Sequence, residues 1–190
     1  MHEVGDSVVI ALADGAGGTG GGSQAAQAVV DAVFADVSQG PAWASLLADL
    51  DRDAMRLGGG QTTAIILSVT RTGVVGAAVG DSGAWIIRDT GIEDLTAGQF
   101  RKPLVGAGCV PFAVRGHSLE GGTLLVASDG LIKYASQASI ARVASGADLA
   151  LAAHSLVDLV RLRSGGLQDD VSLVLCRETT PLAHEAARLV

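Results

Sequence analysis

The sequence predicts an α+β layered domain, and three observations favour that class. Hydrophobic residues make up 48% of the 190-residue chain but aromatic residues only 3%, so Ala, Val, Leu and Ile must fill the core. The predicted elements run in the order strand, helices, antiparallel strands, strand, helices, strand. Several strands are joined by turns too short for a parallel crossover, which favours this class over a doubly wound parallel sheet. The length fits a single domain over residues 1–190.

The chain opens with a strand that leads into a glycine-rich loop. Residues 8–13 are apolar and predict a buried strand, after which Asp14 begins the loop. A carboxylate at a strand tip, with bare backbone beside it, suits a cation or a phosphate, although a flexible turn with a solvated aspartate is the plainer alternative. A helix over about residues 23–34 follows, with Ser23 as its cap. Its buried face comprises Ala26, Val29, Val30 and Val33.

A second helix is predicted to begin near Pro41, a residue that suits the first turn of a helix. Its buried stripe comprises Trp43, Leu46, Leu47 and Leu50. The opposite face is charged, and we interpret it as a solvated helix surface. That face comprises Asp49, Asp51, Arg52, Asp53 and Arg56.

The middle of the chain predicts a series of antiparallel strands. Residues 61–70 and 74–80 form a hairpin across a short turn, and tight turns also flank residues 84–88 and 92–95. Residues 96–117 lose periodicity and predict a long surface loop that carries the basic pair Arg101 and Lys102.

The last third predicts a strand, two helices and a final strand. The strand at residues 123–127 is followed by helices over about 136–144 and 147–163, and the final strand covers 171–176. The tail from residue 180 is expected to form a short helix.

Charge and cysteine content exclude several classes of partner. The net charge of −7 and a pI near 4.9 argue against a nucleic-acid or anionic-membrane surface. Cys109 and Cys176 form no CxxC pair and are expected to be buried thiols of a reducing compartment, without zinc. No apolar run approaches the ~18 residues of a membrane span. These observations predict a soluble cytoplasmic protein.

Four aspartates lie at the ends of predicted strands, in turn-like contexts. They are Asp14, Asp81, Asp129 and one residue of the pair Asp169 and Asp170. Each alone fits a turn former, because Asp-Gly is a common turn dipeptide. Together they suggest a cation site, because buried carboxylates need neutralisation and a set of oxygen ligands without His or Cys suits Mg²⁺ or Mn²⁺.

Five short segments resemble the motifs of a known family. In chain order they are ALADGAGG, GGGQTTAIIL, VGDSGAWIIR, LLVASDGL and LQDDVSLVL, which cover most of the chain from about residue 8 to residue 177. They resemble, in the same order, motifs of the bacterial-like metal-dependent protein serine/threonine phosphatases of type 2C, the PPM family. The resemblance implies a four-layer α-β-β-α sandwich of two antiparallel sheets flanked by helices, with a metal centre in a cleft at one edge of the sheets.

The resemblance also implies roles for five residues. Asp14 is similar to the aspartate that bridges two metal ions, and the carbonyl of Gly15 to a ligand of the first ion. Asp129 and Asp169 are similar to ligands of the second ion, and Asp81 resembles an aspartate that helps to hold a weaker third ion. The family usually has Asp-Asn at the DD pair, which favours its first residue as the ligand.

The implied activity is hydrolysis of phosphoserine and phosphothreonine in a partner protein by metal-activated water. Two Mn²⁺ or Mg²⁺ ions are expected, with Asp14, Asp129 and Asp169 as the catalytic residues and no covalent enzyme intermediate.

The chain departs from the family before Asp14. Family members usually begin with a strand that carries an arginine for the substrate phosphate, followed by an acidic ligand. Only thirteen residues precede Asp14 here, so the usual N-terminal strand is expected to be missing. None of the thirteen is an arginine, and the nearest acidic substitutes are Glu3 and Asp6. Ala16 and Thr19 stand where the family tends to place a histidine. A second hypothesis therefore stays open: a phosphatase-fold module that has lost catalysis and acts as a binding or regulatory partner.

Overall fold

The computed structural model describes residues 1–17, 20–35, 42–179 and 183–189. The helices of this part are α1 (Gly22–Ala35), α2 (Trp43–Arg52), α3 (Asp129–Ile132), α4 (Gln137–Ala144) and α5 (Leu149–Leu159). The strands are β1 (His2–Val4), β2 (Ser7–Leu12), β3 (Ala64–Thr70), β4 (Gly73–Val79), β5 (Gly83–Arg88), β6 (Gly91–Asp94), β7 (Phe112–His117), β8 (Thr123–Ala127), β9 (Leu173–Thr179) and β10 (Ala183–Leu189).

The chain divides into two compact units, and each is built from two separate segments. The first unit contains Met1–Ser82 and Thr96–Ser118, and the second contains Gly83–Leu95 and Leu119–Val190. Each unit has one five-stranded sheet whose neighbouring strands all pair antiparallel. The predicted α+β class, with two antiparallel sheets flanked by helices, is therefore confirmed.

The sheet of the first unit has the strand order β1-β2-β3-β4-β7. Helices α1 and α2 pack on it through a core of aliphatic residues and Trp43, whose indole N–H donates a 2.9 Å hydrogen bond to Ser68 Oγ. Helix α1 buries Ala25, Val29, Ala32 and Val33, while Ala26 and Val30 are only half-buried. It begins at Gly22, so Ser23 lies in the first turn and the predicted cap is wrong. Pro41, the predicted start of the second helix, lies outside the described residues.

The second sheet has the strand order β10-β9-β8-β5-β6. Helices α4 and α5 share a core with β5, β8 and β9. Two polar caps start these helices, because Ser136 Oγ accepts a hydrogen bond from the Ser139 backbone and Asp148 Oδ1 accepts one from the Leu151 backbone. Helix α5 ends at Leu159 rather than at the predicted residue 163.

Three features of the fold differ from the sequence predictions. First, β4 and β5 are joined by a short turn but do not pair: β4 pairs with β3 and β7, whereas β5 pairs with β6 and β8. Second, the predicted surface loop at 96–117 ends in strand β7. Third, β10 pairs with β9 where a helical tail was expected. The prediction that a strand is missing before β2 is also wrong, because β1 pairs antiparallel with β2, although β1 contains no arginine.

No helix in the described part of the chain is long and apolar enough to cross a membrane. Both cysteines are free. Cys176 is buried as predicted, but the prediction is wrong for Cys109, which is only half-buried.

Candidate metal centre

Asp14 lies two residues after the end of β2, and its backbone is hydrogen-bonded to the two residues that precede β3. Its carbonyl accepts hydrogen bonds from the Thr63 backbone N–H at 2.8 Å and from Thr62 Oγ1 at 2.9 Å. Its own N–H donates to Thr63 Oγ1 at 3.1 Å. Three hydrogen bonds to consecutive threonines therefore define where the chain turns away from the sheet.

Gly15 is also paired with the segment before β3, and its position leaves no room for a side chain. It forms an isolated antiparallel bridge with Thr62, which bridges in turn to Val105. A Cβ atom on Gly15 would lie 2.4 Å from the carbonyl carbon and oxygen of Gly22, the first residue of α1. A glycine is therefore needed here for the close approach of the helix start to the loop.

Asp81 follows β4 and is half-buried. The hydroxyl of its neighbour Ser82 lies 2.8 Å from Thr63 Oγ1, the same oxygen that accepts the hydrogen bond from the Asp14 backbone. Thr63 is buried, so this three-member network is shielded from water. The segments that carry Asp14 and Asp81 are thus both hydrogen-bonded to Thr63 of the first unit.

Asp129 is the first residue of α3, in the second unit. Its Oδ2 lies 2.9 Å from Lys133 Nζ, one helical turn later, and its side chain is only 17% exposed while that of Lys133 is 54% exposed. The Lys133 backbone N–H donates to the Asp129 carbonyl at 2.8 Å, so the turn itself brings the two side chains to one face. The sequence analysis missed this ion pair, although the i,i+4 spacing is a signal that could have revealed it.

The loop at Asp169 and Asp170 is held against the strand end that carries Asp129. Ser128 Oγ donates to the Asp170 carbonyl at 3.2 Å and accepts from the Ser172 N–H at 3.0 Å. The Ser128 N–H donates to the Ser172 carbonyl at 2.9 Å. A Cβ on Gly130 would lie 2.2 Å from the Asp170 carbonyl oxygen. Asp169 is exposed, and its Oδ1 accepts from the Asp170 N–H at 3.0 Å.

A cavity of about 480 Å³ opens beside this loop, also within the second unit. Arg161 holds one wall together, with its Nε donating to Asp158 Oδ1 at 3.0 Å and its Nη1 to the Gly165 carbonyl at 2.9 Å. The complete lining is His154, Val157, Asp158, Arg161, Leu167, Asp170, Val171 and Ser172.

The predicted ligands divide between the two units. Asp14, Gly15 and Asp81 belong to the first unit, and Asp129 and Asp169 to the second. Within the described ranges, no three His, Cys, Asp or Glu side chains form a group that could hold a metal ion. The predicted donors are carboxylates and one carbonyl, and oxygen donors of this kind suit Mg²⁺ or Mn²⁺. At Asp129, however, the ammonium of Lys133 already contacts the carboxylate.

Asp51 is a polar anchor that the sequence analysis misinterpreted as part of a solvated helix face. Its Oδ1 accepts backbone hydrogen bonds from Gly106 at 2.7 Å, Ala107 at 3.1 Å and Gly108 at 3.0 Å. Partial burial acts to raise the pKa of Asp51, but the backbone N–H groups, that of Cys109 included, outweigh it, and the net pKa is lowered. The carboxylate therefore binds the loop in its charged form.

The thiol of Cys109 shares this carboxylate. Burial, followed by the negative charge of Asp51 and a hydrogen bond to it, raises the pKa of Cys109 to about 12. Cys109 is therefore a protonated thiol at neutral pH.

The chain is similar in sequence and fold to known serine/threonine phosphatases. No protein-family model matches the chain. The serine/threonine protein phosphatase PstP of Mycobacterium tuberculosis is 30% identical over an alignment of 209 positions, gaps included, that covers 88% of this chain. The chain spans about 40% of the length of that relative.

Solved phosphatase structures share the fold. The S. agalactiae serine/threonine phosphatase has a TM-score of 0.74 at 24% identity, covering 89% of this chain and 86% of the other. The catalytic domain of PstP in complex with two manganese ions has a TM-score of 0.67 at 21% identity, with 92% of each chain covered.

Proposed function

We propose that the chain is a metal-dependent protein phosphatase of the PPM type, because it is similar in sequence to PstP and has the fold of solved bacterial serine/threonine phosphatases. It hydrolyses phosphoserine and phosphothreonine in phosphorylated partner proteins. We propose residues 1–190 as one phosphatase-like domain that acts in the cytoplasm, in line with its two free cysteines.

The observation that carries this proposal is the clamped Asp14 turn. A solvated turn aspartate needs no such support, yet here three hydrogen bonds to Thr62 and Thr63 fix the backbone and Gly15 has no room for a side chain. Such preorganisation is the usual requirement of a site that must hold ligand atoms in one geometry.

We assign the predicted roles to the same residues. Asp14 and the carbonyl of Gly15 in the first unit, and Asp129 and Asp169 in the second, would each be ligands of divalent cations, and Asp81 would contribute to the binding of a weaker third ion. Bound Mn²⁺ or Mg²⁺ would supply a water nucleophile at neutral pH and charge neutralisation of the phosphoryl group. Thr63 and Ser128 orient the segments that carry these carboxylates.

One observation favours the second candidate, a catalytically impaired module that binds phosphorylated or regulatory partners. Asp129 is ion-paired with Lys133, which neutralises the carboxylate without a metal. A module that never binds metal would keep this pair in all states.

Hydrolysis assays separate the two candidates. We would measure the turnover of p-nitrophenyl phosphate and of a phosphothreonine peptide with Mn²⁺, comparing the parent with Asp14→Asn and Asp129→Asn. Each variant is expected to lose about 100-fold or more of the rate. Asp31→Asn and Asp89→Asn remove one exposed charge from each unit and serve as controls that keep the parent rate.

A parent chain no faster than Asp14→Asn at any Mn²⁺ concentration would reject the enzyme. Binding of the phosphothreonine peptide without turnover would then identify the module.

A further inference from the structure

We infer that the ammonium of Lys133 neutralises the carboxylate of Asp129 when no metal is bound, and that it weakens the binding of a divalent cation to this carboxylate. The inference rests on the proposed function, because it takes Asp129 as a metal ligand, and it assigns to Lys133 the role of setting the metal affinity. Nothing in the family resemblance assigns a role to this lysine.

The geometry of the pair is specific. Lys133 Nζ contacts Asp129 Oδ2 at 2.9 Å, the distance of a charge-assisted hydrogen bond. The carboxylate is largely shielded from water, so it depends on a nearby cation far more than an exposed aspartate does. The hydrogen bond between the Lys133 N–H and the Asp129 carbonyl makes the turn deliver the ammonium to this position.

A divalent ion and the ammonium compete for the same oxygen. Mg²⁺ binds carboxylate oxygens at short range, so an ion at Oδ2 would place a second positive charge close to Nζ. Coulomb repulsion between the two cations opposes simultaneous occupancy. The exposed, flexible lysine stem allows the ammonium to move into solvent, so the competition is reversible.

The consequence is a metal site that fills only at raised metal concentration. Without metal, the ammonium of Lys133 neutralises the carboxylate of Asp129. With metal, the binding energy must first displace the lysine, which we expect to weaken the affinity of the Asp129 site by about tenfold relative to a chain without this charge.

Electron paramagnetic resonance of free aqueous Mn²⁺ tests this without using activity. Titrations of the full chain would compare the parent with Lys133→Gln, Lys133→Met and Lys133→Arg. Lys102→Gln is the matched control, because Lys102 is the only other lysine and is exposed on the first unit. A double variant, Asp129→Asn with Lys133→Gln, tests whether any gain depends on Asp129.

We expect Lys133→Gln and Lys133→Met to bind Mn²⁺ about tenfold more tightly than the parent. Lys133→Arg and Lys102→Gln should bind Mn²⁺ as the parent does. The double variant should lose the gain in affinity. Circular dichroism in EDTA checks that each neutral variant is folded, and Lys133→Met keeps the stem packing if the glutamine disturbs it. Equal binding in the parent and both neutral variants overturns the role of Lys133 alone. Absence of Mn²⁺ binding in every chain, the parent included, overturns this inference together with the proposed metal site.

Discussion

The carboxylate of Asp51 accepts a 2.7 Å hydrogen bond from the backbone N–H of Gly106, across 55 residues of sequence. The same oxygen binds the next two N–H groups, so one side chain at the end of α2 holds three successive backbone donors. Val105, which precedes them, bridges to Thr62 and is thereby connected to the Asp14 turn. Asp51 is therefore a support of the candidate site that lies outside the resemblance to the phosphatase motifs.

Replacing Asp51 by alanine should lower the free energy of unfolding by about 2 kcal/mol at pH 7, because backbone donors lose a charged acceptor. Urea denaturation monitored by circular dichroism measures the change. Asp49→Ala is the control: Asp49 is exposed and pairs only with Arg52 on the helix surface among the contacts described, so its loss should change stability by less than about 0.5 kcal/mol. Equal effects of the two substitutions would contradict the anchoring role.

The stabilisation by Asp51 should depend on pH in one direction. Its pKa is lower in the folded chain than in the unfolded chain, so its contribution is complete above the unfolded value of 3.8 and is lost as the pH falls through the folded value. The stability difference between the parent and Asp51→Asn should therefore be constant from about pH 6 to pH 8 and shrink below about pH 4. A difference that grew on acidification would contradict this sign.

Cys109 should be nearly unreactive toward iodoacetamide at pH 8, because burial and Asp51 raise the pKa of its thiol to about 12. Asp51→Asn removes the second of these causes and should accelerate alkylation at pH 8 by about threefold or more. Mass spectrometry distinguishes Cys109 from Cys176, whose pKa is raised to about 11, chiefly by burial, and which serves as the internal control. An unchanged Cys109 rate would show that Asp51 has no effect on the thiol.

Gly15→Ala should destabilise the protein by about 2–3 kcal/mol, because the added methyl would overlap the backbone of Gly22. Gly17→Ala is the matched control in the same loop: a Cβ there meets no atom within 4 Å, and stability should stay within about 0.5 kcal/mol of the parent. Thermal unfolding compares the two. If both alanines are equally tolerated, the close approach of α1 to the Asp14 turn is not needed for stability.

Thr63→Val keeps the shape of a buried side chain but removes the hydroxyl between Asp14 and Ser82. The expected cost is about 1–3 kcal/mol, since a backbone N–H and a serine hydroxyl lose their shared partner. Thr72→Val, in the exposed turn between β3 and β4, is the control and should be near neutral. A similar cost at both positions would argue against a special role for the Thr63 hydroxyl.

Local patterns were enough to locate most elements of this fold. The run at residues 123–127 coincides with β8, and the β3–β4 hairpin follows from its short turn and apolar flanks. Pairing partners were harder to predict: the turn at Gly80–Gly83 looks like a hairpin turn, yet β5 pairs with β6 and with the distant β8. A short turn restricts the path of the chain but does not decide which sheet receives the next strand.

The candidate site shows the same limit. Its aspartates stay predictions, made from family-like motifs near the ends of strands. Asp51 could not be predicted, because its donors are 55 to 57 residues away and its helical position looks like a solvated surface. Tertiary contact, absent from any local window, determines which charged residue of a helix face is an anchor.

The interleaved segments of the two units affect the chain while it is being synthesised. Strand β5 is complete at Arg88, but its partner β8 begins only at Thr123. At a translation rate of about 5–20 residues per second, the apolar residues Trp85, Ile86 and Ile87 are synthesised several seconds before the strand that buries them. During that interval the β5–β6 hairpin has an open edge, a template for pairing with other nascent chains. Ribosome pausing before Thr123 would prolong this exposure, so the yield of folded protein should depend on translation speed and on chaperones that cover this hairpin.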